Sequence, residues 1–478
     1  MKRLTALLLA CALLFSAALA EPYIIEWVGP DTVNYQLLVT REGTPLTEPY
    51  LWREIDSLGH GLYSAVPYEI AVPKGFDPEE DYGYAQEMYE SVYLRALLDG
   101  EGHALTDAVY SQISYDENGD CLQFRKPDGT TGAMDLQGHE LFSGSYYTVA
   151  AIAPGAWYAS EITGEHTDED GWTERYCRLL YIDSEYDVYD TGITGTDLWL
   201  DSAYGLLPVS DGSSNDLWHL MDAQGDIRFD LEAESLYSVR GGLLIGRDLN
   251  GGEFLMDENG DLLLEGYEYI SESPVEGSPL LLCQYRAGNY MVYDAAARRF
   301  TGILRPQEEE LDNVWQYASG MYCASTASAE LFYDEHGRFL CAVPFEYGSN
   351  SVYADVTCLL ENSECPRVFP VHFYSDDEGS RTVLFNADGK PVLDNCYLIF
   401  CCGWKDGHGR YLFSTERRDR EFYGICDEKG DTVIPAVYEW IQPVDFGLYW
   451  CSSPNGCTLL DEEGNVLFSI SAWSELQD

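Results

Sequence analysis

Apolar residues in this chain fall in short runs closed by turn signals, as in Glu253-Phe-Leu-Met and Asp261-Leu-Leu-Leu. Runs of that length, bounded by Gly, Asp and Asn, read as buried strands rather than helices. Between them sits Asp-x-x-Gly. The Asp carboxylate accepts a hydrogen bond from the backbone N–H two residues on and closes a type I turn. The Gly then takes the left-handed conformation that a short bulged hairpin requires. The pattern predicts a succession of hairpins.

The hairpins are copies of one unit. Asp427 to Ile441 aligns without gaps on Asp99 to Ile113, with Asp, Gly, Ala, Val, Tyr and Ile at the same offsets. The same core is anchored at Thr40, Asp99, Asp135, Asp183, Asp222, Asp257, Asp294, Asp334, Asn386, Asp427 and Asp461. Nine of these eleven anchors carry Gly at +3; Asp183 and Asp294 have Tyr186 and Ala297 there and are the weakest copies. From Asp99 onward the spacings are 36, 48, 39, 35, 37, 40, 52, 41 and 34 residues. A second element, a glycine followed by an apolar or aromatic run, recurs about 20 to 26 residues after most anchors. It appears as Gly61-Leu-Tyr, Gly155-Ala-Trp-Tyr, Gly205-Leu-Leu, Gly320-Met-Tyr, Gly409-Arg-Tyr and Gly447-Leu-Tyr. It reads as a further strand entered through a Gly turn. A unit of roughly forty residues is then a small antiparallel sheet that must stack on its neighbours.

Departures from this pattern are few. The stretch 81–98 has Met88, Val92 and Ala96 on one helical face, so a short helix competes there with a strand over Val92 to Leu98 leading into the Asp99 turn. Pro73 to Glu80 reads as an insertion loop, and 21–98 as the more divergent part of the array. The first twenty residues have the three parts of a secretory signal: Lys2 and Arg3, an apolar run from Leu4 to Ala18, and the small-residue site Ala18-Leu19-Ala20. Cleavage there starts the mature chain at Glu21. A lipoprotein box at Leu8-Leu9-Ala10-Cys11 is the rival reading, and it would strand Ala12 to Ala20 on the mature side. No later segment approaches the roughly 20 continuous apolar residues of a spanning helix. The expected location is extracellular or at the cell envelope.

Composition changes the picture in two ways. The formal charge of −55 becomes −57 once Lys2 and Arg3 leave with the signal. Such a surface disfavours nucleic acid and anionic lipid as partners, and leaves cations, basic peptides and neutral glycans. With 46% hydrophobic and 14% aromatic residues, the chain is nonetheless rich enough to bury a large core. Thirteen of the 14 cysteines remain after signal removal. Cys358/Cys365 and Cys451/Cys457 are close enough in sequence to pair, yet the scattered spacing suits buried small hydrophobes better than a disulfide framework.

The unit resembles that of the bacterial WG-repeat proteins, whose copies run aromatic-Gly, strand, Asp-x-x-Gly, a Val/Ile-Pro strand, Tyr and Gly-Leu. The closest copy is Tyr423-Gly424-Ile-Cys-Asp427-Glu-Lys-Gly430-Asp-Thr-Val433-Ile434-Pro435, followed by Tyr438 and Gly447-Leu448. Tyr423 stands where the family has Trp, and most other copies lack the aromatic-Gly pair and the Pro. The resemblance implies an exported repeat protein without established catalysis, and it transfers no functional residue.

Candidate chemistry is thin. Asp116-Glu-Asn-Gly-Asp120 and Asp257-Glu-Asn-Gly-Asp261 invite calcium, but Gly falls at position 4 where an EF-hand loop needs it at 6. A turn is the better reading, with weak, nonspecific divalent binding by the acidic surface. Cys401, Cys402 and His408 are the densest metal-type cluster, yet adjacent cysteines on a strand point to opposite faces. His139-Glu140 lacks the second His of a zinc protease motif. Trp199, Trp404 and Trp473 read as core fillers between sheets, with stacking on sugars as the functional alternative.

The expected fold is all-β, a propeller-like array of about eleven small antiparallel sheets. Because eleven exceeds the usual blade count of one ring, an open solenoid or two stacked propellers are the alternatives. Tyr23 to Val28 is expected to complete a truncated last repeat at Asp461. The expected function is a non-enzymatic binding or scaffold surface for protein or glycan partners, with no cofactor, catalytic residue or metal site assigned. A secreted carbohydrate-active hydrolase and a calcium-stabilised surface protein are the alternatives.

Overall fold

The computed structural model describes residues 22–28, 34–68, 93–167, 173–200, 203–210, 217–273, 278–286, 289–304, 311, 313–316, 320–326, 328–344, 351–354, 359, 368–375, 379–386, 389–417 and 420–471. The signal segment, the loop Pro73–Glu80, Cys358, Cys365 and Trp473 lie outside them. Among the described residues there are forty strands in ten antiparallel sheets, each built from strands consecutive in sequence. No helix there is long and apolar enough to cross a membrane. In chain order the sheets occupy 23–98, 112–144, 146–196, 207–232, 235–267, 269–304, 313–344, 351–396, 399–438 and 440–471.

The two repeat elements have fixed places. Four of the six Gly-apolar runs form the second strand of their sheet, as in Ala156–Thr167 and Leu448–Ser453, while Gly61 leads into the fourth strand of the first sheet and Gly205 into the first strand of the fourth. Eight of the eleven anchors open the turn from third to fourth strand, so that Met256 pairs with Leu262 and Leu460 with Val466. Asp222 opens the turn into the last strand of the fourth sheet, where Met221 pairs with Ile227, and Thr40 and Asp99 follow strands of the first sheet. At Asp427, Oδ1 accepts from the N–H groups of Lys429 and Asp431, both at 2.9 Å. Gly430 follows at φ +84°, where a Cβ would stand 2.8 Å from the Val392 carbonyl oxygen of the preceding sheet. All nine +3 glycines lie between +71° and +87°. In the fifth sheet the second and third strands are the most buried, and the last strand of a sheet is an exposed edge; Ile227–Glu232, the last strand of the fourth sheet, carries Asp and Glu there, which discourages edge-to-edge pairing.

The sheets form one closed ring, a ten-bladed β-propeller. The core is divided into apolar clusters between successive layers. Leu220 of the fourth sheet packs with Leu244 and Met256 of the fifth, and Ile245 and Leu255 of the fifth pack with Ile270 and Cys283 of the sixth. The cycle closes where Leu448, Trp450 and Leu459 of the tenth sheet bury Ile25, Leu37 and Val39 of the first. The Trp450 indole N–H donates to the Glu26 carbonyl, and the Tyr23 hydroxyl donates to Asp445 at 2.7 Å.

Three expectations are corrected. One ring accommodates all eleven anchors because the first sheet holds two of them, Thr40 and Asp99; its halves share only the pair Gln36–Trp52 and enclose their own cluster around Leu38, Trp52 and Ala65. Neither an open solenoid nor two stacked rings forms. The last repeat is complete, with its own fourth strand Val466–Ser471, so Tyr23–Val28 pairs within the first sheet and closes the ring by face packing. At the end of the proposed helix, Ala96–Leu98 is strand, because the Asp99 turn fixes it in a hairpin; 81–92 lies outside the described residues.

Candidate functional site

The fourth sheet departs from the repeat. Among the described residues it has three strands, and its Gly-apolar run is the first of them, so no strand precedes that run in the sheet. The residues leading into it are irregular. Leu198, Leu200 and Ala203 are buried against Ala150, Ile152 and Tyr158 of the third sheet. Trp199, between two buried leucines, is 62% exposed.

Trp199 is held in place. The buried Thr148 hydroxyl accepts from the Leu200 N–H at 3.2 Å and lies 3.4 Å from the Leu198 carbonyl, clamping the backbone on both sides of the tryptophan. Thr148 is itself 2.8 Å from the Ser160 hydroxyl. The Tyr147 ring meets the indole edge to face at 5.6 Å, and the Arg175 guanidinium lies 5.3 Å over the Tyr147 ring.

Beside Trp199 opens a cleft of about 230 Å³ between the second and third sheets. Pleating explains its lining. On Gln112–Asp116 and Cys121–Arg125, Ile113, Leu122 and Phe124 contribute to the core shared with the first sheet. The alternate positions Gln112, Ser114, Gln123 and Arg125 face the other way. Register sets Gln112 opposite Arg125, Arg125 opposite Thr131 and Ser114 opposite Gln123. At one end this face is apolar, where Cys121 and Ala133 pack on Ala151 and Trp157. At the other it is polar, and the layers part.

Two of the polar groups are oriented from behind. Arg125 donates through Nη2 to the Tyr147 carbonyl at 2.7 Å. The Gln123 amide nitrogen donates to Asp116, which directs its carbonyl oxygen away from that carboxylate. Among the described lining residues there is no carboxylate and no histidine, so Ser114 has no general base beside it in the cleft. The cleft can stack on a ring and exchange hydrogen bonds with neutral polar groups.

The residues singled out for metal or acid chemistry are committed elsewhere. Asp116 Oδ1 accepts from Asn118 and Gly119 N–H at 3.0 and 3.2 Å. Asp257 Oδ1 accepts from Asn259 and Asp261 N–H at 3.0 and 3.1 Å, and Oδ2 meets Arg298 Nη2 at 3.0 Å. Burial opposes ionisation of Asp257, but those N–H groups and the guanidinium outweigh it and hold its carboxyl below the usual range. Cys401 joins the cluster shared with the eighth sheet and Cys402 the one shared with the tenth, so they diverge as the strand reading expects. His408 is exposed beside Glu428. His139 sits 3.0 Å from Asp135, and Glu140 pairs with Lys126 at 2.6 Å.

Cysteines behave as apolar filler. Ten of the eleven described cysteines are buried. The pairing Cys451–Cys457 does not form: strand register places Cys451 opposite Thr458 and Cys457 opposite Ser452, so the two thiols lie on opposite faces. Burial pushes the Cys121 thiol up to about 11 and Cys283 up to about 12, far from nucleophilic at neutral pH. Of the three tryptophans, Trp404 is core as expected, whereas Trp199 is not.

No protein-family model matches the chain, and no curated protein matches it. Solved structures similar to it include a eukaryotic initiation factor, at 11% identity and TM-score 0.35, covering 71% of this chain and 92% of that one. BamB from Moraxella catarrhalis is similar at 11% identity and TM-score 0.26, covering 67% and 94%. Hsv2p from Kluyveromyces lactis is similar at 11% and 0.27, covering 59% and 97%. At these values the likenesses carry no argument about function.

Proposed function

We propose that this chain is an exported, non-enzymatic repeat protein of the WG-repeat kind, acting as a binding surface for protein or glycan partners at the cell envelope. The observation that carries the reading is the division of labour among polar residues. The repeated acids build turns, whereas the polar cleft beside Trp199 is lined by amides, hydroxyls and one guanidinium. A propeller provides a rigid frame for such a surface, and the strong negative charge suits an aqueous exterior and repels polyanions. The test is affinity capture with the mature chain from an envelope fraction, alongside binding to a glycan array and a screen for polysaccharide hydrolysis. Saturable binding without turnover is expected. Turnover abolished by a single acidic substitution would overturn the reading in favour of a hydrolase.

A further inference from the structure

We infer that the cleft between the second and third sheets takes one pyranose ring of a saccharide, stacked on Trp199 and hydrogen-bonded by the polar face of the second sheet. This rests on the binding reading above and names its ligand class. Three observations converge on it.

The first is the exposed indole. A tryptophan at 62% exposure, flanked by leucines at 5% and 6%, is presented by its backbone rather than left over from the core. The Thr148 clamp and the edge contact of Tyr147 fix the ring before any ligand arrives, so little side-chain freedom is lost on binding. A flat apolar ring of this kind matches the C–H face of a sugar, while the sugar's rim of hydroxyls needs polar partners.

Those partners are the second observation. Gln112, Ser114, Gln123 and Thr131 line the cleft on adjacent strands and supply both donors and acceptors. Gln123 is oriented by the buried Asp116, so its carbonyl oxygen is available to accept from a hydroxyl.

The third is size and charge. A volume of about 230 Å³ suits a single small ring rather than a folded partner's loop. Arg125 is the one charged residue among the described liners, in a protein of net charge −55. A cationic peptide attracted to the acidic surface would meet the wrong sign here. Chemistry on the ring is not expected either, because glycoside hydrolysis uses two carboxylates flanking the bond, and none is among the described lining residues.

The experiment is titration of the mature full chain with neutral hexose oligosaccharides and with uronic-acid oligosaccharides, read by calorimetry and indole fluorescence. Trp199→Ala should weaken saccharide binding about tenfold or more, the scale of a lost stacking contact plus its buried area, with unchanged thermal melting. Gln123→Ala should weaken it several-fold. Trp440→Ala, which removes another exposed tryptophan on the tenth sheet, should leave it unchanged. Preference for the uronic-acid series, lost in Arg125→Gln, would identify an acidic sugar; equal binding of both series would identify a neutral one. Saccharide binding that survives Trp199→Ala overturns the placement in this cleft and leaves the binding reading standing. Capture of a protein partner with no saccharide binding overturns the ligand class alone, and absence of both overturns the two together.

Discussion

The two turns that lack glycine, at Asp183 and Asp294, solve the same problem differently. At Asp183 the repeat geometry survives: Oδ1 still accepts from Glu185 and Asp187 N–H at 2.9 and 3.0 Å, and Tyr186 occupies the glycine position at φ +66°. Its ring lies 5.7 Å from Trp157 and 6.1 Å from Phe142 of the second sheet. At Asp294 the hydrogen bond shifts to the Ala297 N–H at 2.8 Å, Asp294 pairs with Arg299, and the left-handed residue moves one position on, to Arg298 at φ +49°. Arg298 then reaches the buried Asp257 of the fifth sheet. Both turns give up a glycine and gain a side chain that touches the layer before it. At these two turns the strained backbone residue is a site of attachment between blades.

The comparison can be broken most severely at Asp257. Asp257→Ala removes the acceptor of two N–H groups and strands Arg298, with an expected loss of about 3 kcal/mol in equilibrium unfolding. If the loss is near zero, the anchor carboxylates do not hold the turns.

Arg298→Gly should cost about 1 kcal/mol, since it relieves the left-handed strain but leaves the Asp257 carboxylate without its cation. The cost should depend on pH. Asp257 is held below its ordinary 3.8, so its contribution is present above that value and lost as pH falls through the folded value. Wild type and variant should therefore converge on acidification; a gap that persists at low pH would mean that Arg298 acts through packing.

Tyr186→Ala keeps the strained backbone and deletes the ring, for an expected loss of about 1 kcal/mol. Tyr186→Gly deletes the ring but removes the strain of about 1 kcal/mol, so its melting should fall close to that of wild type. Equal melting of the two variants would show that the tyrosine carries no backbone strain.

Much of this was legible in residue order because the turn chemistry is local. Every anchor identified by its Asp-x-x-Gly pattern opens a turn at the end of a strand, and four of the six Gly-apolar runs are second strands of their sheets. Closure was not legible, since it depends on Tyr23, Glu26 and Trp450 meeting across the whole chain. The candidate site was half legible. Trp199 reads in the sequence as a core filler or a sugar-stacking ring; its exposure goes with a stretch before Gly205 where no strand forms among the described residues, and nothing in the order Asp197 to Tyr204 announces that. The alternation Gln112-Ile113-Ser114 and Gln123-Phe124-Arg125 was the available signal: polar residues at every second position of an inner strand pair mark a face that the neighbouring layer does not cover.

The closure contacts also set the order in which the molecule can be made. Trp450 and Glu26 are 424 positions apart, whereas most pairings join strands adjacent in sequence. Blades can therefore zip up one after another as a chain emerges amino end first, with low contact order at each step. Until the tenth blade appears, the apolar face formed by Ile25, Leu37 and Val39 has no cover. Transiently uncovered apolar faces of this kind are where folding intermediates are prone to aggregate. Swapping this one onto a neighbouring chain's last blade would give head-to-tail oligomers in place of a ring.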